Sequence, residues 1–211
     1  MKKQIRAVLE SEYKGPRASY GEVDVLKAMF AIGNSPTNLG RLKLGQLVGL
    51  GQGEIRTLIS RLKGSGLIYV DSRGCAFTEK GKREFDAISK AVPFSSPVQA
   101  RELSLGKFAW SVLVRGRESK VRKGIEQRDA SIRAGATGAL TVVFSRNRFM
   151  VPSMDGSSGS SADCEAMGPS EPWVSIRNLA KPKDGDIVIV SGADTASLAE
   201  EGALAAALTL L

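Results

Sequence analysis

The chain has 211 residues, a formal net charge of +8, two cysteines and no histidine. This length is enough for two modest domains that each bury their own core. The positive charge favours a polyanionic partner without identifying it. The absence of histidine excludes histidine-based acid–base catalysis and cysteine–histidine nucleophiles. With only two cysteines, it also excludes the common zinc sites, which need four Cys or His ligands.

The sequence shows no sign of export or of a membrane span. Residues 1–4 are not followed by an apolar signal core, and no apolar run approaches the ~20 residues that a transmembrane helix needs. We therefore expect a cytoplasmic protein without a membrane partner. Cys75 is expected in a hairpin and Cys164 in a distant loop, so no disulfide is expected between them.

The positive charge is concentrated in the first half of the chain. Residues 1–92 contain 16 Lys and Arg against 9 Asp and Glu, whereas residues 93–211 contain 14 against 13. Within the second half, residues 101–148 hold 11 basic and 4 acidic residues, and residues 149–211 hold 3 and 9. The second contrast fits either a basic patch beside an acidic one or an alternating surface.

Three helices are predicted before the first glycine-rich turn. They run over residues 3–13, about 19–32 and 39–50. Ser19 stands three residues before Glu22, which matches a capping box at the start of the second helix. The side chains expected to face the core from the second and third helices are Val23, Leu26, Phe30, Leu42, Leu47 and Leu50.

The stretch from residue 49 to residue 91 predicts a turn, a helix, a hairpin and another helix. The turn is residues 49–53, and Gly64–Gly66 ends the helix that follows. Residues 67–77 are predicted to form a two-stranded hairpin, and Thr78 to cap a helix that reaches about Ala91. The apolar stripe of the helix after the turn follows the i, i+3, i+4, i+7 spacing, and its members are Ile55, Leu58, Ile59 and Leu62.

The opposite face of this helix carries cations and short polar side chains. A helix with one buried stripe and one basic face, entered through a tight turn, suits the major groove of DNA. The alternatives are a solvated helix face and a domain that contacts only proteins. The candidate DNA-binding residues on this helix face are Arg56, Thr57, Ser60, Arg61 and Lys63.

From residue 19 onward, the predicted order of three helices, a hairpin and a helix is that of a winged helix-turn-helix domain. The stretch GEIRTLISRLKGSGLI, followed by a hairpin and TEKGK, resembles the recognition helix, wing and exit helix of winged-helix transcriptional regulators of the MarR-like group. The resemblance covers about residues 19–92. It implies that the helix after the turn enters the major groove, and that Arg73, at the hairpin tip, contacts the DNA backbone or minor groove. The residues of that helix that would then contact bases or phosphates are Gln52, Arg56, Thr57, Ser60 and Arg61. Lys43, on the helix before the turn, is a further candidate DNA-binding residue.

Residues 93–100 are predicted to be a linker, because prolines and serines interrupt the helical pattern there. Residues 101–211 then predict a small α/β domain of four or five strands and two helices. Val121, Ile125 and Ile132 are expected to face the core. The serine- and glycine-rich residues 153–172 are predicted to lack structure. The predicted strands are 108–114, 138–144, 149–151, 173–176 and 187–190, and the predicted helices are 118–134 and 195–211.

The whole chain resembles a mostly archaeal family in which a winged helix precedes an uncharacterised α/β domain. Two stretches carry this resemblance, GIEQRDASIRAGATG at residues 124–138 and the segment DGDIVIVSG to AEEGALAAALTLL at residues 184–211. The resemblance implies a regulator and does not supply an effector.

Two places in the second half are candidate ligand sites. Arg128 and Asp129 form a candidate ligand pair on a helix, although Asp129 could instead pair with Arg133 at i+4, worth ~0.3–0.5 kcal/mol. Gly192, Asp194 and Thr195 lie where a strand leads into a helix, and free N–H groups there can bind an anion. Alternatively, Asp194 only caps the helix. No cofactor or metal is expected.

The sequence therefore predicts an α+β protein, with an N-terminal winged helix-turn-helix over residues 1–92 and a small C-terminal α/β domain over residues 101–211. We expect a transcriptional regulator, without catalytic activity, that binds double-stranded DNA as a homodimer. Its C-terminal domain would sense a small or anionic ligand or mediate assembly. The alternative is that this domain is a small-metabolite or nucleotide enzyme with an accessory winged helix.

Overall fold

The structure is a computed structural model that describes residues 2–10, 19–152, 162–168 and 171–211. It divides into two units, Met1–Ile88 and Ser89–Leu211. Helices dominate the first unit, and a six-stranded sheet forms the centre of the second. The mixed α and β content confirms the predicted fold class at this level.

The first unit contains four helices, a hairpin and most of a fifth helix. The predicted first helix also included residues 11–13, which lie outside the described residues. The fifth helix continues just past the boundary between the units. The elements are α1 Lys2–Glu10, α2 Glu22–Gly33, α3 Arg41–Val48, α4 Gln52–Gly64, β1 Ile68–Asp71, β2 Gly74–Phe77 and α5 Glu79–Ala91.

The apolar stripe of α4 lies at the centre of the first unit. Ile55, Leu58 and Leu62 are fully buried, as the spacing predicted, whereas Ile59 is half-buried. Complete burial of each side chain contributes about 1.5–3 kcal/mol. The helix packs against α1 and α3, and α3 packs in turn against α2. This packing orients the opposite face of α4 toward solvent.

Two predictions for α2 are wrong. Its N-cap is Gly21, whose backbone N–H donates to Oδ2 of Asp24 at 2.8 Å, so Ser19 and Glu22 do not form the capping box. The Ser19 hydroxyl instead donates to the carboxylate of Glu54 at the start of α4. The buried face also differs, since Val23 and Phe30 are only half-buried, and the buried apolar residues are Val25, Leu26, Ala28, Met29 and Ile32.

The predicted inward face of α3 is also wrong. Leu42 and Leu47 are 63% and 47% exposed, whereas Leu44 and Val48 are buried. The four apolar residues of this short helix fit two different helix faces equally well. Packing against α2 and α4 selects the face of Leu44 and Val48, which no pattern within the segment could decide.

The hairpin that follows α4 has a third backbone segment paired to it. β1 and β2 are antiparallel, with Ile68 opposite Phe77, as predicted. In addition, the Leu39 N–H donates to the Cys75 carbonyl at 3.1 Å, and the Cys75 N–H donates to the Leu39 carbonyl at 2.8 Å. This bridge ties the hairpin to the residues before α3, and the sequence did not predict it. The predicted cap of α5 is confirmed, because the Gly81 N–H donates to the Thr78 hydroxyl at 3.0 Å.

The second unit is an antiparallel sheet covered by helices. Its strand order is β3-β4-β8-β5-β6-β7. The strands are β3 Phe94–Val98, β4 Phe108–Val114, β5 Gly138–Ser145, β6 Arg148–Val151, β7 Ala162–Asp163 and β8 Asp186–Ala193. The helices are α6 Ile125–Arg133, α7 Cys164–Met167, α8 Glu171–Ala180 and α9 Ala196–Leu208, with 3₁₀ turns at Arg101–Leu103 and Glu118–Lys120.

The two faces of this sheet contact different helices. Every residue of the central strand β8 is buried, and its side chains alternate between the two faces. Val188 and Val190 pack with Trp173 and Ile176 of α8 on one face. The other face is covered by α6 and α9. This arrangement explains why β8 reads as a continuous apolar run.

The prediction of a linker over residues 93–100 is wrong. Residues 94–98 form β3, an edge strand paired with β4, and Val98 is part of the core. Pro97 has no N–H to donate to a neighbouring strand. A central strand requires that hydrogen bond, whereas an edge strand can lack it on its outer side. The proline therefore marks the sheet edge and not a break in structure.

Further segments differ from the prediction. The helix predicted over 118–134 is interrupted at Gly124, which has a φ of +76°. The helix after it buries the polar Gln127 and Ser131 and leaves Ile132 exposed. The strand predicted over 173–176 is part of helix α8. Strands β4, β5, β6 and β8 confirm the other strand predictions. Residues 153–161 and 169–170 of the predicted structureless segment lie outside the described residues. The rest of that segment forms β7, α7 and the start of α8, so the prediction is wrong there.

Candidate nucleic-acid interface

The connection between α3 and α4 is a tight three-residue turn. Gly49 has a φ of +86°, and the N–H groups of Gly49 and Leu50 both donate to the carbonyl of Gly45, at 2.9 and 3.0 Å. Gly51 then caps α4, with its N–H donating to Oε2 of Glu54 at 2.9 Å. A residue with a side chain at position 49 would be strained by the positive φ. The turn thus fixes the direction in which α4 leaves α3.

Four polar side chains form an exposed stripe along α4. Gln52, Arg56, Ser60 and Lys63 are all exposed and recur at i, i+4, i+8 and i+11, opposite the buried stripe. At 1.5 Å per residue, the stripe is about 16 Å long. Thr57 borders it, half-buried, and its hydroxyl donates to the Gly53 carbonyl at 3.0 Å. Thr57 is therefore held by its own helix, while the four stripe residues are accessible.

Arg61 is not on this stripe, so the expectation that it contacts DNA is wrong. It is 8% exposed, its Nη1 donates to the Leu9 carbonyl at 2.8 Å, and its guanidinium lies 5.6 Å from the centre of the Tyr20 ring. Arg61 joins α4 to α1 through these contacts. Burial of the Tyr20 hydroxyl raises its pKa, and the nearby Arg61 charge opposes that rise.

The remaining basic candidates are exposed on neighbouring elements. Lys43 is exposed on α3. Arg73 lies in the hairpin turn with its side chain 77% exposed, and its Nη2 is 3.0 Å from Oδ2 of Asp71. Hydrogen bonds from the Arg73 side chain and backbone lower the pKa of Asp71. A surface pair of this kind is worth about 0–1 kcal/mol, so a phosphate group could compete for the guanidinium.

The charges around α3, α4 and the hairpin are mainly positive. Residues 41–73 contain six Lys and Arg and only two carboxylates, Glu54 and Asp71. Both carboxylates accept hydrogen bonds, Glu54 from Ser19 and Gly51 and Asp71 from Arg73. The hydrogen bonds from Ser19 and Gly51 lower the pKa of Glu54. The exposed face thus presents cations and neutral hydrogen-bonding groups.

The structure does not combine the candidate ligand residues of the second half into one site. Arg128 pairs with its neighbour Asp129, at 3.0 Å from Nη2 to Oδ1, on the exposed face of α6, in place of the alternative Asp129–Arg133 pair. Gly192 was predicted to lie where the strand leads into the helix, and this prediction is wrong. It is buried within β8, with the Leu105 backbone against it.

The residues after β8 lead into helix α9. Asp194 is exposed, and the cap of α9 is Thr195, whose hydroxyl accepts from the Leu198 N–H at 3.3 Å. The alternative that Asp194 caps this helix is therefore wrong as well. The Thr195 hydroxyl thus satisfies one of the N–H groups in the first turn of this helix.

Both cysteines are buried, and neither forms a disulfide. Burial raises the pKa of Cys75, and burial with the nearby charges of Asp163 and Glu165 raises the pKa of Cys164 to about 11. Among the described residues, no group of three or more acidic, Cys or His side chains could hold a metal ion. No helix in the described ranges is long and apolar enough to cross a membrane.

Comparison with known proteins gives a family and a fold. Residues 105–210 match a domain of unknown function, DUF4443. No curated protein matches the chain. Among solved structures, the chain is similar to the hypothetical protein PH0730 from Pyrococcus horikoshii OT3. The identity is 26% and the TM-score 0.70, over 91% of this chain and 93% of that one.

Proposed function

Because the chain belongs to the DUF4443 family, whose function is unknown, we propose a function from its own residues. The protein is a DNA-binding transcriptional regulator, and its first unit is a winged helix-turn-helix domain. In this proposal α4 is the recognition helix, α3 the helix before it, and the β1–β2 hairpin the wing. The second unit senses a small or anionic ligand or mediates assembly.

The observation that carries the proposal is the exposed stripe on α4. Gln52, Arg56, Ser60 and Lys63 line the accessible face of a helix that follows a three-residue turn and precedes a hairpin. A helix about 10–12 Å in diameter fits a major groove about 12 Å wide. Arginine and glutamine are also side chains that read guanine and adenine edges through paired hydrogen bonds, each worth about 1–3 kcal/mol.

The hairpin supports the proposal through its attachment. The Leu39–Cys75 bridge holds it beside the start of α3, so the hairpin has a fixed position relative to the turn. Arg73 then lies at its tip with an exposed guanidinium. A basic side chain on a hairpin with a fixed position can contact phosphates beside the groove that the recognition helix enters.

The first experiment is selection of duplexes from a random pool by the full-length protein at ~0.1 M salt, since affinities for DNA are interpretable only at a stated salt concentration. We expect one enriched duplex family with related half-sites. Failure to enrich any duplex would contradict the proposed function.

A pair of matched variants then tests the surface. The groove variant, Lys43→Gln with Arg56→Gln, removes two cations from α3 and α4. The control variant, Lys107→Gln with Arg133→Gln, removes two exposed cations from the second unit. Each lost phosphate contact should lower the slope of log affinity against log salt by ~0.9, so we expect a decrease of ~1.8 for the groove variant only. If the first unit instead contacts only proteins, the groove variant should leave the DNA affinity unchanged.

The proposal includes a homodimer, because paired recognition helices match half-sites about one helical turn apart. A ligand of the second unit would act by favouring one spacing of these helices. Sedimentation at micromolar concentration should show a dimer, at least with the selected duplex present. A monomer both with and without DNA would count against this part of the proposal.

The role of the second unit is tested with pools of nucleotides and metabolites. We expect the full-length protein to bind a pool member without converting it, and the bound compound to change its affinity for the selected duplex. Turnover of a pool member would favour the alternative of an enzyme with an accessory winged helix.

A further inference from the structure

We propose that the second unit carries its own DNA contact, at the end of the sheet where β4 and β5 finish and β8 begins. This surface binds the phosphodiester backbone of duplex DNA. The choice of DNA as the polyanion rests on the proposed function, whereas the surface itself is separate from α4. We call it the basic edge, and its members are Arg117, Arg122, Lys123, Arg146, Lys181 and Lys183.

The strand register brings together residues that are far apart in sequence. Val114, at the end of β4, lies opposite Ile187, and Phe144, near the end of β5, lies opposite Asp186. The loops at 115–124, 145–147 and 181–185 therefore share one end of the sheet. With strands about 4.8 Å apart, the three strands span about 10 Å.

Hydrogen bonds hold two of these loops in place. The buried carboxylate of Asp186 accepts from the Arg115 guanidinium, from the Gly116 N–H at 3.0 Å and from the Lys183 N–H at 2.7 Å. The Gly185 carbonyl accepts from the N–H groups of Arg117 and Glu118, at 3.1 and 3.3 Å. The backbone at Arg117 and Lys183 is thus fixed before any ligand binds, which reduces the entropy lost on binding.

The third loop is a tight turn with a cation at its tip. Arg146 and Asn147 have φ values of +50° and +62°, as in a type I′ hairpin turn. Nη1 of Arg177 donates to the Asn147 backbone carbonyl and to its Oδ1, both at 2.7 Å, while Nη2 of Arg177 pairs with Glu165. The turn is therefore anchored by one arginine and exposes another.

The positive charge of the basic edge is not neutralised within the unit. In the described part of the chain, none of its six side chains forms an ion pair, and all but the half-buried Arg117 are exposed. The nearby exposed carboxylates are Glu118, Glu126 and Asp184, and the charge of Asp186 is paired with Arg115. Six cations against these three carboxylates produce a local field that attracts a polyanion.

A phosphodiester backbone fits this surface better than a membrane or a protein. A duplex presents one phosphate per ~3.4 Å of axis on each strand, so an edge of about 10 Å can face about three phosphates. Binding to membrane surfaces and the cores of protein interfaces both use large apolar side chains. The large hydrophobic residues found exposed in the described ranges all lie outside the three loops of the basic edge.

Matched double variants of the full-length protein test the proposal on a random duplex of about 40 bp, long enough for several helical turns. The edge variant is Arg146→Gln with Lys183→Gln, and the control is again Lys107→Gln with Arg133→Gln. Lys107 precedes β4 and Arg133 is the last residue of α6, and both lie toward the opposite end of the sheet. We expect the edge variant to lower the log–log salt slope by ~1.8 and the affinity at 0.1 M salt by about tenfold or more.

The outcomes separate this proposal from the proposed function. If the edge variant behaves like the control while the groove variant loses affinity, only the basic edge is overturned. If the edge variant loses affinity and the groove variant does not, the recognition-helix assignment fails and the basic edge stands. A wild-type protein that binds no duplex at about 0.05 M salt, where phosphate contacts are strongest, overturns both. Arg122→Gln with Lys123→Gln replaces the edge variant if the latter fails to fold.

Discussion

Arg56 and Arg61 lie five residues apart on α4, one in contact with solvent and the other with neighbouring parts of the first unit. Arg56 is exposed, whereas Arg61 donates to the Leu9 carbonyl and lies over the Tyr20 ring. We expect Arg61→Ala to lower the free energy of unfolding by about 1–3 kcal/mol, because it removes a charged hydrogen bond and a cation–π contact. Arg56→Ala should change it by less than about 0.5 kcal/mol. Urea denaturation measures both values.

DNA affinity provides the converse comparison. Arg56→Ala should weaken binding to the selected duplex, and Arg61→Ala should leave the affinity of the folded protein within about threefold, since its guanidinium faces α1. If Arg56→Ala and Arg61→Ala had the same stability and the same loss of DNA affinity, the different placement of the two arginines would be contradicted. The sequence predicted Arg56 correctly as exposed, but the partner of Arg61 lies 52 residues away in the chain. No spacing within α4 could reveal that contact.

The pKa of Cys164 gives a prediction about alkaline pH. Burial and two neighbouring acids raise it from 9.0 to about 11 in the folded protein. A folded pKa above the unfolded one contributes stability that is complete below pH 9 and lost as the pH rises toward 11. The stability of the wild type relative to Cys164→Ala should therefore fall between pH 9 and pH 11. Urea titrations of both proteins at a series of pH values measure the difference.

Thiol reactivity tests the same placement at lower pH. At pH 8 a buried, protonated thiol reacts slowly, because the thiolate is the nucleophile. Cys75 and Cys164 should therefore react with a disulfide reagent only at the rate of unfolding. Fast reaction of either thiol in the folded protein would contradict its burial.

Among the elements, the β1–β2 hairpin depends on one glycine. Gly74 has a φ of +128°, and a Cβ there would lie 2.6 Å from the carbonyl of Leu39. Gly74→Ala should therefore break the Leu39–Cys75 bridge and cost about 2 kcal/mol or more through strain and displaced backbone. If the hairpin is a wing, this variant should also weaken duplex binding. Thermal unfolding and a binding titration measure the two effects.

Gly64→Ala is the matched control for this substitution. Gly64 ends α4 with no atom within 4 Å of a Cβ built there, so alanine should be neutral or stabilise by up to about 1 kcal/mol. If both glycine substitutions are tolerated equally, the close approach of Leu39 to Gly74 does not hold in solution.

The elements also show where sequence patterns were sufficient. α4, the hairpin, β4 and β8 have patterns long enough to determine their type. The four residues Trp173–Ile176 alternate like a strand, yet the burial of Pro172, Trp173, Ile176 and Ala180 has helical spacing. A window of four residues cannot distinguish the two periods. β3 was missed because Pro97 indicates a break unless the strand is known to lie at an edge.

At the scale of the whole molecule, the average charge of a segment conceals how its charges are arranged. Residues 93–211 hold 14 Lys and Arg against 13 Asp and Glu, which gives no reason to expect a basic surface. The basic edge takes its cations from segments up to 66 positions apart, and the sheet register brings them to one end. The sequence could show the excess of cations over residues 101–148, but it could not show which strand ends meet.

The last prediction concerns both basic surfaces together. If α4 and the basic edge contact DNA in the same bound state, the groove and edge variants remove independent phosphate contacts. Their losses in log affinity should then add in the four-residue variant, and the salt slope should fall by ~3.6, because distant sites are additive. If either surface alone were sufficient to bind the duplex, each double variant would lose little affinity. The four-residue variant would then lose far more log affinity than the sum of the two separate losses. Titrations of the three variants against one duplex at several salt concentrations distinguish these cases.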